Sequence, residues 1–159
     1  MGMGDRIPDS GFTFLKISLN KLYTEAQHLW VENFTETGFL APEELNVDLE
    51  RYALLETTGY LAIIAVMKDI EIVGYVALVN DKFLHSKHID YVKIDTIFIS
   101  KKYRSFVLFK RLLQYIESFI KAHNVKYLFM GSSIKRSLDK ILTKYDYKPI
   151  ETLFYKELI

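Results

Sequence analysis

Apolar residues recur at two different periods along this chain, and the changes of period mark its elements. "FTFLKIS" (12–18) is rich in aromatic and branched residues and reads as a strand. Over 20–34 the period lengthens, so that Leu22, Ala26, Leu29, Trp30 and Phe34 fall on one face of a helix. Gly38 and Pro42 interrupt it; Pro42 suits the start of a second helix running through 43–56, which Gly59 closes. Two β-rich runs over 60–81 flank a polar Lys68–Asp69 turn and predict a hairpin. Another strand is predicted over 92–100, with Lys93 and Asp95 alternating against Ile94, Thr96 and Phe98. A long amphipathic helix follows over 104–123, its apolar face carrying Leu108, Leu112, Tyr115, Ile116, Phe119 and Ile120. A strand over 125–133, a short helix over 135–146 and a final strand over 147–158 complete the order β-α-α-β-β-β-α-β-α-β. The unit 92–134 is β-α-β, so its two strands should run parallel.

With 159 residues, half of them apolar, the chain is read as one domain over 1–159 with ample material for a core. It contains no Cys, which excludes disulfides, thiolate metal sites and a cysteine nucleophile. No apolar run approaches the roughly 18 residues of a membrane span. "MGMGDRIPDSGF" has no apolar centre and is expected to be a flexible N-terminal stretch (1–11) rather than a signal peptide. A cytoplasmic protein that does not enter membranes is the expectation, as a monomer or a homodimer. His85 and His88 lie three apart with no third ligand nearby, so no metal site is expected.

The net charge of +1 conceals an asymmetry. Residues 1–81 carry 5 Lys/Arg and 13 Asp/Glu, a balance of −8, whereas 82–148 carry 15 and 5, a balance of +10. Either the cationic part meets something anionic, or the two parts attract each other, or the lysines only solvate the surface. The cations gather most densely in "KKYRSFVLFKRLL" (101–113), where the long helix begins. A helix N-terminus is already partly positive, so further cations there are unfavourable unless an anion is bound.

The element order, "IDTIFISKKYRS" leading into a helix, and "YDYKPIETLFYKEL" at the end together resemble the GCN5-related N-acetyltransferase (GNAT) superfamily. The similarity is greatest to small, divergent acyltransferases of bacteriophages and prophages. It covers most of the chain from residue 12 and is strongest over 92–159. It implies an α+β fold, a three-layer α/β/α arrangement around a mixed, mostly antiparallel central sheet with a splayed parallel strand pair. It also implies acetyl-CoA between the splayed strands, with its pyrophosphate on backbone N–H groups of the loop opening the long helix. The superfamily's loop, Q/R-x-x-G-x-G/A, falls here on Arg104, Ser105, Phe106, Val107, Leu108 and Phe109. Val107 and Phe109 replace glycines that let the backbone approach the phosphates closely. Tyr103 and Arg104 match the superfamily's "YR". Lys101, Lys102 and Lys110 are placed to assist as point charges. Ser132, Ser133, Lys135 and Arg136, which open the next helix, are placed to touch the pantetheine arm or a phosphate; Ser133 or Ser137 as a plain N-cap is the alternative.

The resemblance further implies catalytic roles. Asp95 is the acidic residue on the strand before the long helix, where the superfamily places a base acting directly or through water. Its alternative role is an exposed partner for Lys93 or Lys102. A strand N–H near Phe98 or Ile99 would polarise the thioester carbonyl. The superfamily's tyrosine acid falls on Leu142; Tyr145, one turn later, takes that role only in a shifted helix and otherwise packs. The function expected is CoA-dependent transfer of an acetyl group to the amine of a small molecule or protein. Two alternatives stay open: a GNAT-fold binding protein without activity, and a phage accessory enzyme acting on modified DNA bases, which the basic part would suit. Nucleic acid is the less favoured partner.

Overall fold

Apolar runs of both periods fold into a five-stranded sheet with helices on both faces. The computed structural model describes residues 11–38 and 40–158, so the stretch expected to be flexible lies, apart from Gly11, outside the described residues. The elements are β1 (Phe12–Ile17), α1 (Leu19–Ala26), α2 (His28–Thr37), α3 (Leu49–Thr57), β2 (Leu61–Lys68), β3 (Glu71–Phe83), β4 (Ser86–Ile99), α4 (Phe106–Ala122), β5 (Tyr127–Met130) and α5 (Asp139–Lys144). The strand order is β1-β2-β3-β4-β5; all neighbours are antiparallel except β4 and β5, the parallel pair that the β-α-β pattern required.

Central strands buried on both faces carry nearly continuous apolar sequence, as in "LAIIAVM" of β2. Alternate residues then serve different layers. Ile63, Ala65, Met67, Tyr75 and Phe98 pack with Leu22, Ala26, Leu29 and Trp30 from α1 and α2. Ile64, Val66, Val76, Leu78 and Ile94 pack with Leu108, Leu112, Ile116 and Ile120 from α4. Each such fully buried aliphatic side chain contributes about 1.5–3 kcal/mol. Among the described residues no helix is long and apolar enough to cross a membrane.

Several boundaries differ from the sequence-based expectation. The helix expected over 20–34 is two helices meeting at Gln27, which keeps right-handed helical angles (φ −57°, ψ −26°) and lets the axis bend. Leu22, Ala26, Leu29 and Trp30 all remain against the sheet across that bend. The next helix starts at Leu49 rather than 43, because Asp48 caps it by accepting from the Arg51 N–H; Pro42–Glu44 form a single 3-10 turn. Gly59 closes α3 in the left-handed region (φ 79°). The strand predicted from 92 begins at Ser86, since β3 and β4 form one long hairpin.

The final strand expected over 147–158 is absent. Residues 148–158 have no regular structure and are exposed, with Leu153, Phe154 and Leu158 at least 80% accessible. Alternation alone makes no strand without an edge to pair with. β5, the edge at that end of the sheet, is only four residues long, and Pro149 removes a donor at the segment's start.

Candidate active site

The parallel pairing that closes the sheet is short. β4 meets β5 only over Tyr91–Ile94 and Tyr127–Met130. Beyond Ile94, β4 runs on to Ile99 paired with β3 alone, while the chain after Met130 leaves the sheet through Gly131. A Cβ on Gly131 would touch nothing within 4 Å, so this glycine borders open space.

Where the strands part, β4 carries a bulge. Ala77 opposes Thr96 and Leu78 opposes Ile94, leaving Asp95 as the extra residue. The strict alternation expected for this strand therefore fails. Val92 and Ile94 face α4, but beyond the bulge Ile97 and Ile99 do so, and Phe98 faces the α1–α2 layer. One inserted residue reverses the parity of every side chain after it.

Asp95 is exposed and lines a cleft of about 310 Å³ together with Asn33, Thr37, Lys93, Ser132 and Ser133. The Tyr52 hydroxyl of α3 donates to Asp95 Oδ2 at 3.1 Å. Trp30 holds both neighbouring phenols, with ring centroids 6.4 Å from Tyr52 and 6.5 Å from Tyr75. Burial pushes the Tyr52 phenol well up, reinforced by the Asp95 carboxylate; burial does the same to Tyr75, reinforced by Tyr52 and Asp95. Both stay neutral, so Tyr52 is a fixed donor to Asp95. Among the described residues Asp95 has no ion pair, and neither Lys93 nor Lys102 serves as the partner that its alternative reading required.

A second cluster bridges the gap. Arg104 Nε donates to the Ile99 carbonyl at 2.6 Å, and its Nη2 lies 2.9 and 2.8 Å from the two oxygens of Glu36 on α2. Its guanidinium lies over the Phe98 ring at 5.1 Å. Arg136 reaches the same Glu36 at 3.6 Å. Burial, and then the neighbouring Arg104, push the Arg136 guanidinium below its usual range, while Glu36 opposes them. The last turn of α2 takes further donors from the same loop: Ser133 Oγ donates to the Thr37 carbonyl at 3.3 Å, and Lys135 Nζ donates to the Gly38 carbonyl. Cations suit a helix C-terminus. Among the described residues, the ion pairs that join the acidic and basic parts of the chain both fall on Glu36 of α2.

The start of α4 forms the far wall. Ser105 caps it, its Oγ accepting from the Leu108 N–H at 3.0 Å, and the first helical bond runs from Phe109 N–H to the Ser105 carbonyl. The N–H groups of Phe106 and Val107 find no acceptor among the described residues. Val107 is half exposed and leaves that turn clear, whereas Phe109 lines a second cleft of about 250 Å³ with Ile97, Ile99, Arg104, Ser105 and Arg136. Lys101, Lys102 and Lys110 are exposed nearby; Lys102 lies over the Tyr103 ring at 4.9 Å. The Tyr103 hydroxyl is turned away to Glu71. Tyr145 lines neither cleft; its ring stacks on Phe106 at 5.8 Å. Of the cap candidates for α5, Ser137 accepts from the Asp139 N–H while Ser133 is turned to the Thr37 carbonyl; the N-cap position itself is Leu138, which offers no side-chain cap.

The model of the acetyltransferase (GNAT) family matches residues 20–135. The chain belongs to the GNAT family. Its reaction class is therefore acyl transfer, and solved GNAT structures share its fold. An aminoglycoside acetyltransferase from an uncultured soil metagenomic sample, in complex with trehalose, superposes with a TM-score of 0.69 at 16% identity, over 95% of this chain and 99% of that one. A GNAT family acetyltransferase from Staphylococcus aureus gives 0.66 at 17% identity, over 93% and 99%. A protein from Clostridium acetobutylicum described as a predicted acetyltransferase with acetyl-CoA gives 0.71 at 12% identity, over 92% and 96%. No curated protein matches in sequence.

In this GNAT fold, Asp95, Ser132, Ser133 and Arg136 meet at one cleft, and Arg104, Ser105, Phe109 and Arg136 at the next. Lys101, Lys102, Lys110, Tyr103 and Tyr145 are not part of either lining. Sequence reasoning missed Glu36 and Tyr52, both brought in from the first three helices. Tyr52 sits among apolar helix positions and gives no signal of its own. The bulge did leave a signal: apolar residues shift from 92 and 94 to 97 and 99.

Proposed function

We propose that this GNAT protein transfers an acetyl group from acetyl-CoA to the amine of a small-molecule acceptor. The observation that carries the reading is the parting of β4 from β5 directly beside the bulged Asp95. The residues present fit the cofactor. Two unpartnered N–H groups open α4, Arg136 lies within both clefts, and the outward Val107 does not block the turn despite replacing a glycine. Phe106 and Val107 N–H groups and Arg136 would hold the phosphates, and acetyl-CoA supplies an activated thioester.

The chain's own groups do the rest. Asp95, steadied by Tyr52, accepts the proton of the acceptor ammonium, directly or through one water. Successive strand N–H groups point to opposite edges, so one of Phe98 and Ile99 presents its N–H to the open side of β4, where it stabilises a developing oxyanion. Tyr145 is assigned to packing against Phe106, and the low basicity of a thiolate lets it leave without that tyrosine. Two of the structural neighbours are aminoglycoside acetyltransferases, so an aminoglycoside belongs in the panel of amines tested.

Thiol release from acetyl-CoA in the presence of an amine panel, with the acetylated product weighed by mass spectrometry, tests the reading. Asp95→Asn should lower kcat by roughly 10²–10⁴-fold while coenzyme A still raises the melting temperature. No thermal shift with coenzyme A and no acetylated amine would overturn it.

A further inference from the structure

The cleft beside Asp95 holds one charge that the transfer reaction does not use, that of Lys93. Lys93 lines it, two residues before Asp95 on β4. Its ammonium has no hydrogen bond or ion pair among the described residues. Arg136 is the cleft's other cation and Asp95 its one carboxylate, so the lining carries a net positive charge. Arg136 is paired with Glu36 and is assigned above to the cofactor's phosphates; Lys93 has neither role.

A lining of this kind repels a polycation. It suits an acceptor whose amine comes to Asp95 and whose anionic group comes to Lys93. Lys93 does not face the cofactor's phosphates in this arrangement. β4 runs from Ser86 to Ile99 toward the opening of α4, so Lys93 lies on the side of Asp95 remote from the Phe106 and Val107 N–H groups. Asn33, Thr37, Ser132 and Ser133 supply the remaining polar lining, which suits a small, hydrated zwitterion better than an apolar amine.

We propose, resting on the acetyl-transfer reading above, that the acceptor is a zwitterionic amine of amino-acid type, its carboxylate or phosphate bound by Lys93 and its amine presented to Asp95. The ammonium first gives one proton to Asp95 or its water; the free amine then forms the new N–acetyl bond as the thioester C–S bond breaks, and the second proton shed by the nitrogen goes to the departing thiolate, which leaves as the thiol of coenzyme A. Lys93 touches the acceptor but takes no part in the bond changes.

The test pairs acceptors that differ only in the anionic group: α-amino acids against their amides, and phosphoethanolamine against ethanolamine, with spermidine and an aminoglycoside as polycations. Thiol release and product mass are measured with acetyl-CoA. An α-amino amide loses its proton more easily than the parent amino acid, so a preference for the acid cannot come from intrinsic reactivity. The expected result is a lower KM for the anionic member of each pair. In Lys93→Gln that preference should collapse through a roughly 10- to 100-fold rise in KM for the zwitterion, as loss of one charge-assisted hydrogen bond implies. Lys93→Arg should retain it, and the thermal shift with coenzyme A shows that each variant is folded. Equal or better acetylation of the amides or polycations, or a preference that survives in Lys93→Gln, overturns the zwitterion proposal and leaves acetyl transfer standing. If no amine in the panel is acetylated and coenzyme A does not bind, the transfer reading fails and the zwitterion proposal with it.

Discussion

Arg104 matches the residue expected to grip a pyrophosphate, yet its side chain is engaged by the protein itself, and the consequence is measurable. Truncating it in Arg104→Ala removes the charge-assisted contacts to Glu36 at 2.8 and 2.9 Å, the bond to the Ile99 carbonyl at 2.6 Å and the stacking over Phe98. The Arg104 and Glu36 side chains are 23% and 29% exposed, so solvent screens the pair only in part. All of these Arg104 bonds have the guanidinium as donor and are charge-assisted, contributing about 1.5–3 kcal/mol each before offsetting effects. Arg136 keeps a hold on Glu36 at 3.6 Å, and water enters the space left beside an open cleft; both reduce the loss. The net cost should be about 2–4 kcal/mol, within the ordinary range for a broken partly buried network. At roughly 2–4 °C per kcal/mol for a chain of this size, the melting temperature should fall by roughly 4–16 °C without any ligand. Thermal and urea unfolding followed by circular dichroism, extended to Glu36→Gln and the double variant, give the cost and the coupling between the two side chains. An arginine that serves only a phosphate would leave the ligand-free protein unchanged. A cost below about 0.5 kcal/mol with no coupling, the behaviour of an ordinary surface pair, would refute the structural role.

Two further outcomes follow from close contacts and buried phenols. A Cβ on Gly74 would lie 2.5 Å from the Phe98 carbonyl, so Gly74→Ala should destabilise by about 1–3 kcal/mol. Chemical denaturation measures this; because the displaced strand is β4, activity per folded molecule should fall as well, and an unchanged stability would show that β4 gives way freely. Tyr52, Tyr75 and Tyr147 all have phenols raised mainly by burial, so the native state holds protons that the unfolded chain releases once the pH passes about 10. Their contribution is complete below that pH and is lost progressively above it, as the pH climbs toward the raised native-state values. Urea midpoints should therefore fall steeply above pH 10, and less steeply in Tyr147→Phe, which removes one titrating phenol; the same slope in both proteins would contradict the assignment.

How far the sequence disclosed this molecule depended on whether each element is specified locally. α4 was legible because Leu108, Leu112, Ile116 and Ile120 repeat at helical spacing and bury as a set. The parallel pair followed from a strand-helix-strand order that admits little else. The tail was misread because the alternation of "YKPIETLFYKEL" states a propensity, while a strand also needs an edge, and β5 offers four residues. The start of α3 was misplaced for the opposite reason: a strong local cap, Asp48, outweighed a continuous helical pattern upstream. Asp95 and Arg136, which the structure places in the cleft lining, were pointed to by the resemblance. Glu36 and Tyr52 were not, because what matters about them is the distance across folded space, 68 residues from Glu36 to Arg104 and 43 from Tyr52 to Asp95.

Those long separations also show where the two oppositely charged parts meet in ion pairs. An acidic first part and a basic second part could have met anywhere along a broad interface. Instead, two of the four ion pairs among the described residues converge on Glu36, and Ser133 and Lys135 bind the carbonyls that follow it. α2 thereby fastens the loop after β5 on one side of the gap and Arg104, just before α4, on the other. β4 and β5 part without support from each other beyond Ile94, so something must hold the gap at a fixed width. A hydrophobic contact would fill the space it was meant to keep open. Ionic contacts at the rim hold the walls while leaving the centre accessible, and their geometry is specific enough to fix which residues face inward. On this argument the departure from glycine at 107 and 109 is tolerable: the width of the cleft is set by Glu36 and its two arginines, and the loop backbone need not set it alone.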